Sequence, residues 1–156
     1  MKHWIGILVI LLAGCSANTY QLAPEWAPLQ QIVERDLPFV SDTAITTMGH
    51  NVYTVDLGSW LVRNPPGSPQ FMSKMAHEQV HSIRQLDYGL YSWLFNYLTD
   101  DDFKWEEEKA GWEQEIRIAR KYGIGRTDEQ YAKILSEMYQ EMVSYDDALI
   151  WVRTIH

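Results

Sequence analysis

His77-Glu78-Gln79-Val80-His81 lies in a stretch bounded by Ser68-Pro69 on one side and Asp87-Tyr88-Gly89 on the other. A serine followed by a proline is a helix start. The hydroxyl accepts from a backbone N–H that has no partner within the helix, and proline fills the first position, where no N–H is needed. Glycine at the far end can take the left-handed conformation that closes a helix, so the spacing predicts a helix from Ser68-Pro69 to about Leu86. On such a helix, residues four apart share a face about 6 Å apart along the axis, so His77 and His81 can aim their imidazoles at one ion. Glu78 projects beside that ion, where a carboxylate can take a proton from a water. Chance supplies H-E-x-x-H in on the order of one chain in a hundred or fewer at this length, so the motif is read as a candidate metal site.

Upstream, Thr43 to Met48 and Asn51 to Asp56 are rich in Thr, Ile and Val, with Gly49-His50 between them as a tight turn. They read as a β-hairpin, and Ser59-Trp60-Leu61-Val62 as a third short strand. A short helix is expected over Glu25 to Asp36. Asn64-Pro65-Pro66-Gly67 must break regular structure before the H-E-x-x-H helix. Downstream, Tyr91 to Leu98 reads as a short helix. Asp100-Asp101-Asp102 is read as the cap of a longer helix, Phe103 to Lys121, because acids complement the helix dipole at an N-terminus. Gly123-Ile124-Gly125 stops that helix. Thr127-Asp128-Glu129-Gln130 is a capping box for a helix to about Met142, and Ser144 caps a last one through Val152. A little strand followed by mostly helix, without internal repeats, gives an α+β class that is heavily helical.

The chain has 156 residues and a net charge of −8, which becomes −9 without the leader, whose one charge is Lys2. Such a balance argues against nucleic acid as a partner and against adsorption to anionic lipid through a basic surface. Ile5 to Leu12 is an apolar run of signal-peptide length, too short for a membrane span. Leu12-Ala13-Gly14-Cys15 follows and resembles the lipobox of bacterial lipoproteins. The resemblance implies cleavage after residue 14 and lipid on Cys15, with membrane attachment through that lipid. It further implies an envelope location, and Ser16 favours the outer membrane, facing the periplasm, in a Gram-negative cell. Residues 1–14 are thus the leader, 15–24 the lipidated cysteine and a tether, and 25–156 one domain of a size that can hold a core without disulfides. Cys15 is the only cysteine, so a metal in this domain must be held by histidine and carboxylate.

With these features together, the chain resembles the gluzincin metallopeptidases. Their third ligand is a glutamate on the helix after the H-E-x-x-H helix, in the pattern Glu-x-x-Ala, which Glu107-Glu108-Lys109-Ala110 matches. The resemblance implies a zincin-like domain in which His77, His81 and Glu107 hold one zinc per chain. Helical spacing leaves Glu106 and Glu108 open as rivals. Trp105, Trp112, Ile116 and Ala119 mark one apolar face and Phe103, Ala110 and Ile118 another, with Glu108 bordering the first and Glu107 nearer the second. The aspartate that often follows the alanine in that family is replaced by Gly111. The implied activity is hydrolysis of peptide bonds in envelope proteins or cell-wall peptides, with Glu78 as general base and then as proton donor to the leaving amine. Tyr139 is named as oxyanion donor from a set that also holds Tyr131, Tyr145 and His50. Asn51 to Asp56 is the candidate edge strand for an extended substrate. The alternative is a zinc-binding envelope lipoprotein without catalysis, in which the metal staples two helices or serves a partner.

Overall fold

The computed structural model describes residues 18–35 and 45–156. The leader, Cys15 and the start of the first expected strand at Thr43 lie outside them. Four strands, β1 (Thr19–Gln21), β2 (Gln31–Glu34), β3 (Ile45–Met48) and β4 (Asn51–Thr54), form one sheet in the order β1-β2-β4-β3. Six α-helices follow: α1 (Leu57–Arg63), α2 (Pro69–Tyr88), α3 (Leu90–Thr99), α4 (Asp101–Lys121), α5 (Asp128–Met138) and α6 (Tyr145–Thr154). The architecture is α+β and mostly helical.

The expected hairpin is present, with Gly49 at φ 61 making the turn. The helix expected over Glu25 to Asp36 is instead a single 3-10 turn, Pro24–Trp26, and strand β2. Pro28 interrupts any helix there, and Ile32 and Val33 are β-branched and suit a strand. β2 runs parallel to β4, pairing Ile32 with Val52, and its other edge takes β1 antiparallel. β1 thus lies within residues 15–24, the segment read as lipidated cysteine and tether. Ser59 to Val62 belongs to α1 and is not a strand. The Asp56 carboxylate accepts from Ser59 N–H, and Leu57 and Trp60, three apart, are the buried pair.

The remaining start signals act as expected. The Ser68 hydroxyl caps α2, the Asp100 carboxylate caps α4, Thr127 and Gln130 close a capping box on α5, and Ser144 caps α6. α5 stops at Met138, short of the expected Met142, with Tyr139 as its C-cap residue.

Two apolar clusters hold these elements. Ile32, Val52, Trp60, Phe71 and Met75 join the sheet to α1 and α2, while Ile116, Tyr131, Leu135, Ala148 and Val152 join α4 to α5 and α6. α2 packs most extensively on α4, so the helix that carries the histidines is the seam between the two cores.

Candidate metal centre

One face of α2 is tied to the hairpin by polar groups. Gln85 donates to the Thr47 carbonyl (3.0 Å) and accepts from Gly49 N–H (2.7 Å), and the Ser82 hydroxyl donates to the Gly49 carbonyl (2.5 Å). These contacts fix the rotation of α2 so that His77, Glu78 and His81, all buried, look into the space between β3 and α4. The Thr47 hydroxyl donates to Glu78 Oε2 at 2.7 Å, which sets the carboxylate beside the histidine pair.

The partner that α4 brings is Glu108. Its Oε2 lies 3.8 Å from His77 Nε2 and its Oε1 lies 3.9 Å from His81 Nε2. One ligand atom from each of these three residues falls within 4.8 Å of the others, a separation that a single ion can span. Glu107, the residue implied by the Glu-x-x-Ala pattern, does not occupy this place. One position along a helix is a turn of about 100°, and that rotation sends Glu107 to Arg84, whose guanidinium binds both carboxylate oxygens at 2.7 to 2.9 Å. Glu106 is exposed and paired with Lys109.

Two further residues fit the group to a metal. Gly111 lies against the His77 ring so closely that a Cβ there would stand 2.7 Å from Nε2. Glycine at this position is what lets α4 approach the imidazole. Glu115 then takes the supporting role: its Oε2 meets His77 Nδ1 at 3.2 Å, while its Oε1 binds Lys74 Nζ at 2.6 Å. A carboxylate on Nδ1 orients the ring and presents Nε2 toward Glu108, the usual arrangement behind a ligating histidine. His81 Nδ1 is buried and has no hydrogen-bond partner among the described residues, and its ring packs against Trp93 at 6.2 Å between centroids.

The charges are strongly coupled. Burial opposes a proton on His77, yet the Glu108, Glu115 and Glu78 carboxylates outweigh it and raise its pKa to about 10. Burial and the neighbouring His77 charge lower that of His81. Burial pushes both carboxyls up, but His77, His81 and Tyr139 bring Glu108 down, and His77 and Lys74 bring Glu115 down, each to about 2. Without metal the site therefore holds one imidazolium between two carboxylates. Both Glu108 oxygens also accept from tyrosines, Oε1 from Tyr97 on α3 and Oε2 from Tyr139 at 2.5 Å. Burial and the Glu108 charge raise both phenols, which stay protonated donors.

Of the four oxyanion candidates, Tyr139 alone lines the cleft. Tyr131 is in the core, His50 is hydrogen-bonded to the Pro28 carbonyl at 2.9 Å, and Tyr145 opens α6. Tyr97, Thr47 and Glu115 were not singled out in the sequence. A signal for Glu115 exists, because Glu108, Gly111, Trp112 and Glu115 recur at helical spacing and mark one face of α4 once Glu108 is chosen as its centre. Asn51 to Asp56, the candidate edge strand, contributes β4, which is interior; among the described residues β3 stands at the edge of the sheet, and it lines the cleft. The cleft encloses about 690 Å³ and is walled by Trp60 of α1 and by Leu90, Leu94 and Leu98 of α3. A buried His77, His81 and Glu108 group at its floor can hold a metal ion.

Comparison with protein-family models, with curated proteins and with solved structures finds no match to this chain. Its function must be argued from the site.

Proposed function

We propose that the chain is a zinc-dependent peptidase in which His77, His81 and Glu108 hold one zinc ion and Glu78 is the general base. The observation that carries this reading is the position of a His₂Glu group on the floor of an open cleft, with an uncoordinated glutamate beside it. A purely structural zinc is enclosed by four protein ligands, whereas a catalytic one keeps a position for water or substrate, and three residues at an open cleft match the second case. Zinc, when bound there, would polarise a scissile carbonyl and acidify a water.

The residues supply the rest. Glu78, oriented by the Thr47 hydroxyl, takes the proton of the attacking water and returns it to the leaving amine. Glu115 and Lys74 hold His77 in the orientation that presents Nε2. β3, at the edge of the sheet among the described residues, is the strand placed to pair with an extended peptide and lay it across the floor. Substrates are peptide bonds of envelope proteins or of the cell wall. A lipid on Cys15 would confine the enzyme there; among the described residues no helix is long and apolar enough to cross a membrane.

The test is metal content and hydrolysis measured together. The wild-type protein should carry about one zinc per chain, His77→Ala should carry none, and Glu78→Gln should keep the zinc while losing hydrolysis of casein or a cell-wall peptide by about 100-fold or more. Equal hydrolysis by Glu78→Gln and wild type would remove Glu78 as base. Zinc without hydrolysis in the wild type would leave a binding protein. For the anchor, Cys15→Ser should abolish incorporation of labelled palmitate; continued labelling would exclude Cys15.

A further inference from the structure

The two tyrosines on Glu108 are held in different ways. The Tyr139 hydroxyl, besides donating to Glu108 Oε2, accepts from the indole N–H of Trp112 at 3.3 Å, and its ring packs on Trp105 with centroids 5.6 Å apart. Any swing of this hydroxyl away from Glu108 breaks a second bond inside the α4–α5 core. Tyr97 has no such anchor: the hydrogen bond to Glu108 Oε1 is the one its hydroxyl makes among the described residues. Its ring stacks on Trp93 at 4.6 Å and 18°, with Lys104 Nζ over it at 5.5 Å, so packing restrains the ring while the hydroxyl has a single hydrogen bond. It also stands on α3, where Trp93 is the only buried residue, and it lines the cleft. Both phenols thus converge on one carboxylate, but the Tyr139 hydroxyl has a second hydrogen bond in the core, whereas the Tyr97 hydroxyl has only the one to Glu108 among the described residues and borders the cleft.

We propose, resting on the peptidase reading above, that the two phenols divide the labour. Tyr139 is a positioning residue that holds Glu108 for metal ligation, and Tyr97 is a catalytic residue that turns its hydroxyl from Glu108 to the oxygen of the scissile carbonyl. A carboxylate oxygen has two lone pairs, so Glu108 can keep the Tyr139 hydrogen bond and still face the histidines. Loss of Tyr97 from Oε1 costs Glu108 one of two donors, and the negative oxygen that develops on the substrate gains one. A donor realised only as charge develops lowers the barrier without tightening ground-state binding.

Two isosteric changes, Tyr97→Phe and Tyr139→Phe, separate the roles. Zinc affinity is measured by competition with a chelator, and acetohydroxamate affinity on the zinc-loaded proteins serves as a probe for a donor beside a ligated anionic oxygen. Tyr139→Phe should weaken zinc binding by about 10- to 100-fold, as losses behind a metal ligand do. Tyr97→Phe should leave zinc affinity within about threefold of wild type while weakening acetohydroxamate about tenfold, and it should slow hydrolysis by about 100-fold with KM little changed. Equal loss of zinc affinity in both variants, or unchanged acetohydroxamate affinity in Tyr97→Phe, would overturn the division. A wild-type protein that binds no zinc would overturn the peptidase reading itself, a result distinct from either.

Discussion

Glu107 and Glu108 are adjacent and both buried, yet they belong to different structures. Glu107 neutralises Arg84 and braces α2 against α4, whereas Glu108 faces the histidines. Glu108→Gln should therefore reduce zinc affinity by more than about 100-fold, and it should also destabilise the metal-free fold, where the buried carboxylate faces both histidines and accepts from Tyr97 and Tyr139. Glu107→Gln should keep the metal and cost about 1 to 2 kcal/mol of stability, because the charged hydrogen bonds to a half-exposed Arg84 are lost. Metal content and denaturant unfolding of the two variants decide the assignment, and the opposite pattern would restore Glu107 as ligand. The proton on His77 gives a second residue-scale outcome. With its pKa raised to about 10, His77 is charged at neutral pH and must lose that proton when a metal binds, so calorimetry at pH 7 in two buffers of different ionisation heat should find about one proton released per ion. Zinc affinity should rise with pH. The metal-free fold responds otherwise. Its lowered carboxyls, Glu108 and Glu115, contribute stability that is present above their ordinary 4.5 and lost as pH falls toward about 2. His77 contributes stability that is complete below its ordinary 6.5 and lost as pH rises through about 10. His81, whose pKa is lowered, contributes stability that is present above its ordinary 6.5 and lost as pH falls below it. With a chelator present, urea midpoints should therefore be highest near about 6.5, where zinc is held less tightly than at pH 8.

At the scale of elements, what was legible in the sequence was whatever depends on near neighbours. The Ser68-Pro69 start, the Asp100 cap and the Thr127–Gln130 box each rest on a side chain reaching a backbone N–H three residues on, and each is present. Ser68→Ala should accordingly cost about 1 kcal/mol, seen as a fall of a few degrees in Tm, without changing metal stoichiometry. Two misread elements, the strand at Gln31 to Glu34 and the place of Asn51 to Thr54 in the sheet, depend on distant ones, whereas Ser59 to Val62 is decided locally. Gln31 to Glu34 becomes a strand because β4 offers a parallel edge twenty residues on, and Asn51 to Thr54 becomes interior for the same reason. Ser59 to Val62 has strand-forming composition, but the Asp56 cap and the Leu57–Trp60 spacing commit it to a helix. The candidate site divides along the same line. His77, Glu78 and His81 lie within one helix and were readable. The choice between Glu107 and Glu108 turns on which face of α4 meets α2, and that orientation follows from Gly111 fitting under an imidazole that is distant in sequence.

At the scale of the whole molecule, the candidate metal group His77, His81 and Glu108 bridges two cores. His77 and His81 ride on the helix attached to the sheet cluster, and Glu108 on the helix attached to the α5–α6 cluster. A bound ion therefore ties the halves together, and free zinc at 100 times its Kd should add about 2.7 kcal/mol to unfolding. Calorimetric scans with zinc and with chelator should show the difference as a higher Tm, absent in His77→Ala. An unchanged Tm in the wild type would mean that no ion bridges α2 and α4.

Among the described residues the sheet order gives β3 one neighbour, β4, and places it at an edge of the sheet. An edge that can accept a peptide does not distinguish substrate from the edge of another molecule. In concentrated solution, self-association of this protein thus has a natural starting point at the mouth of its own cleft, and whatever fills that cleft also guards against it.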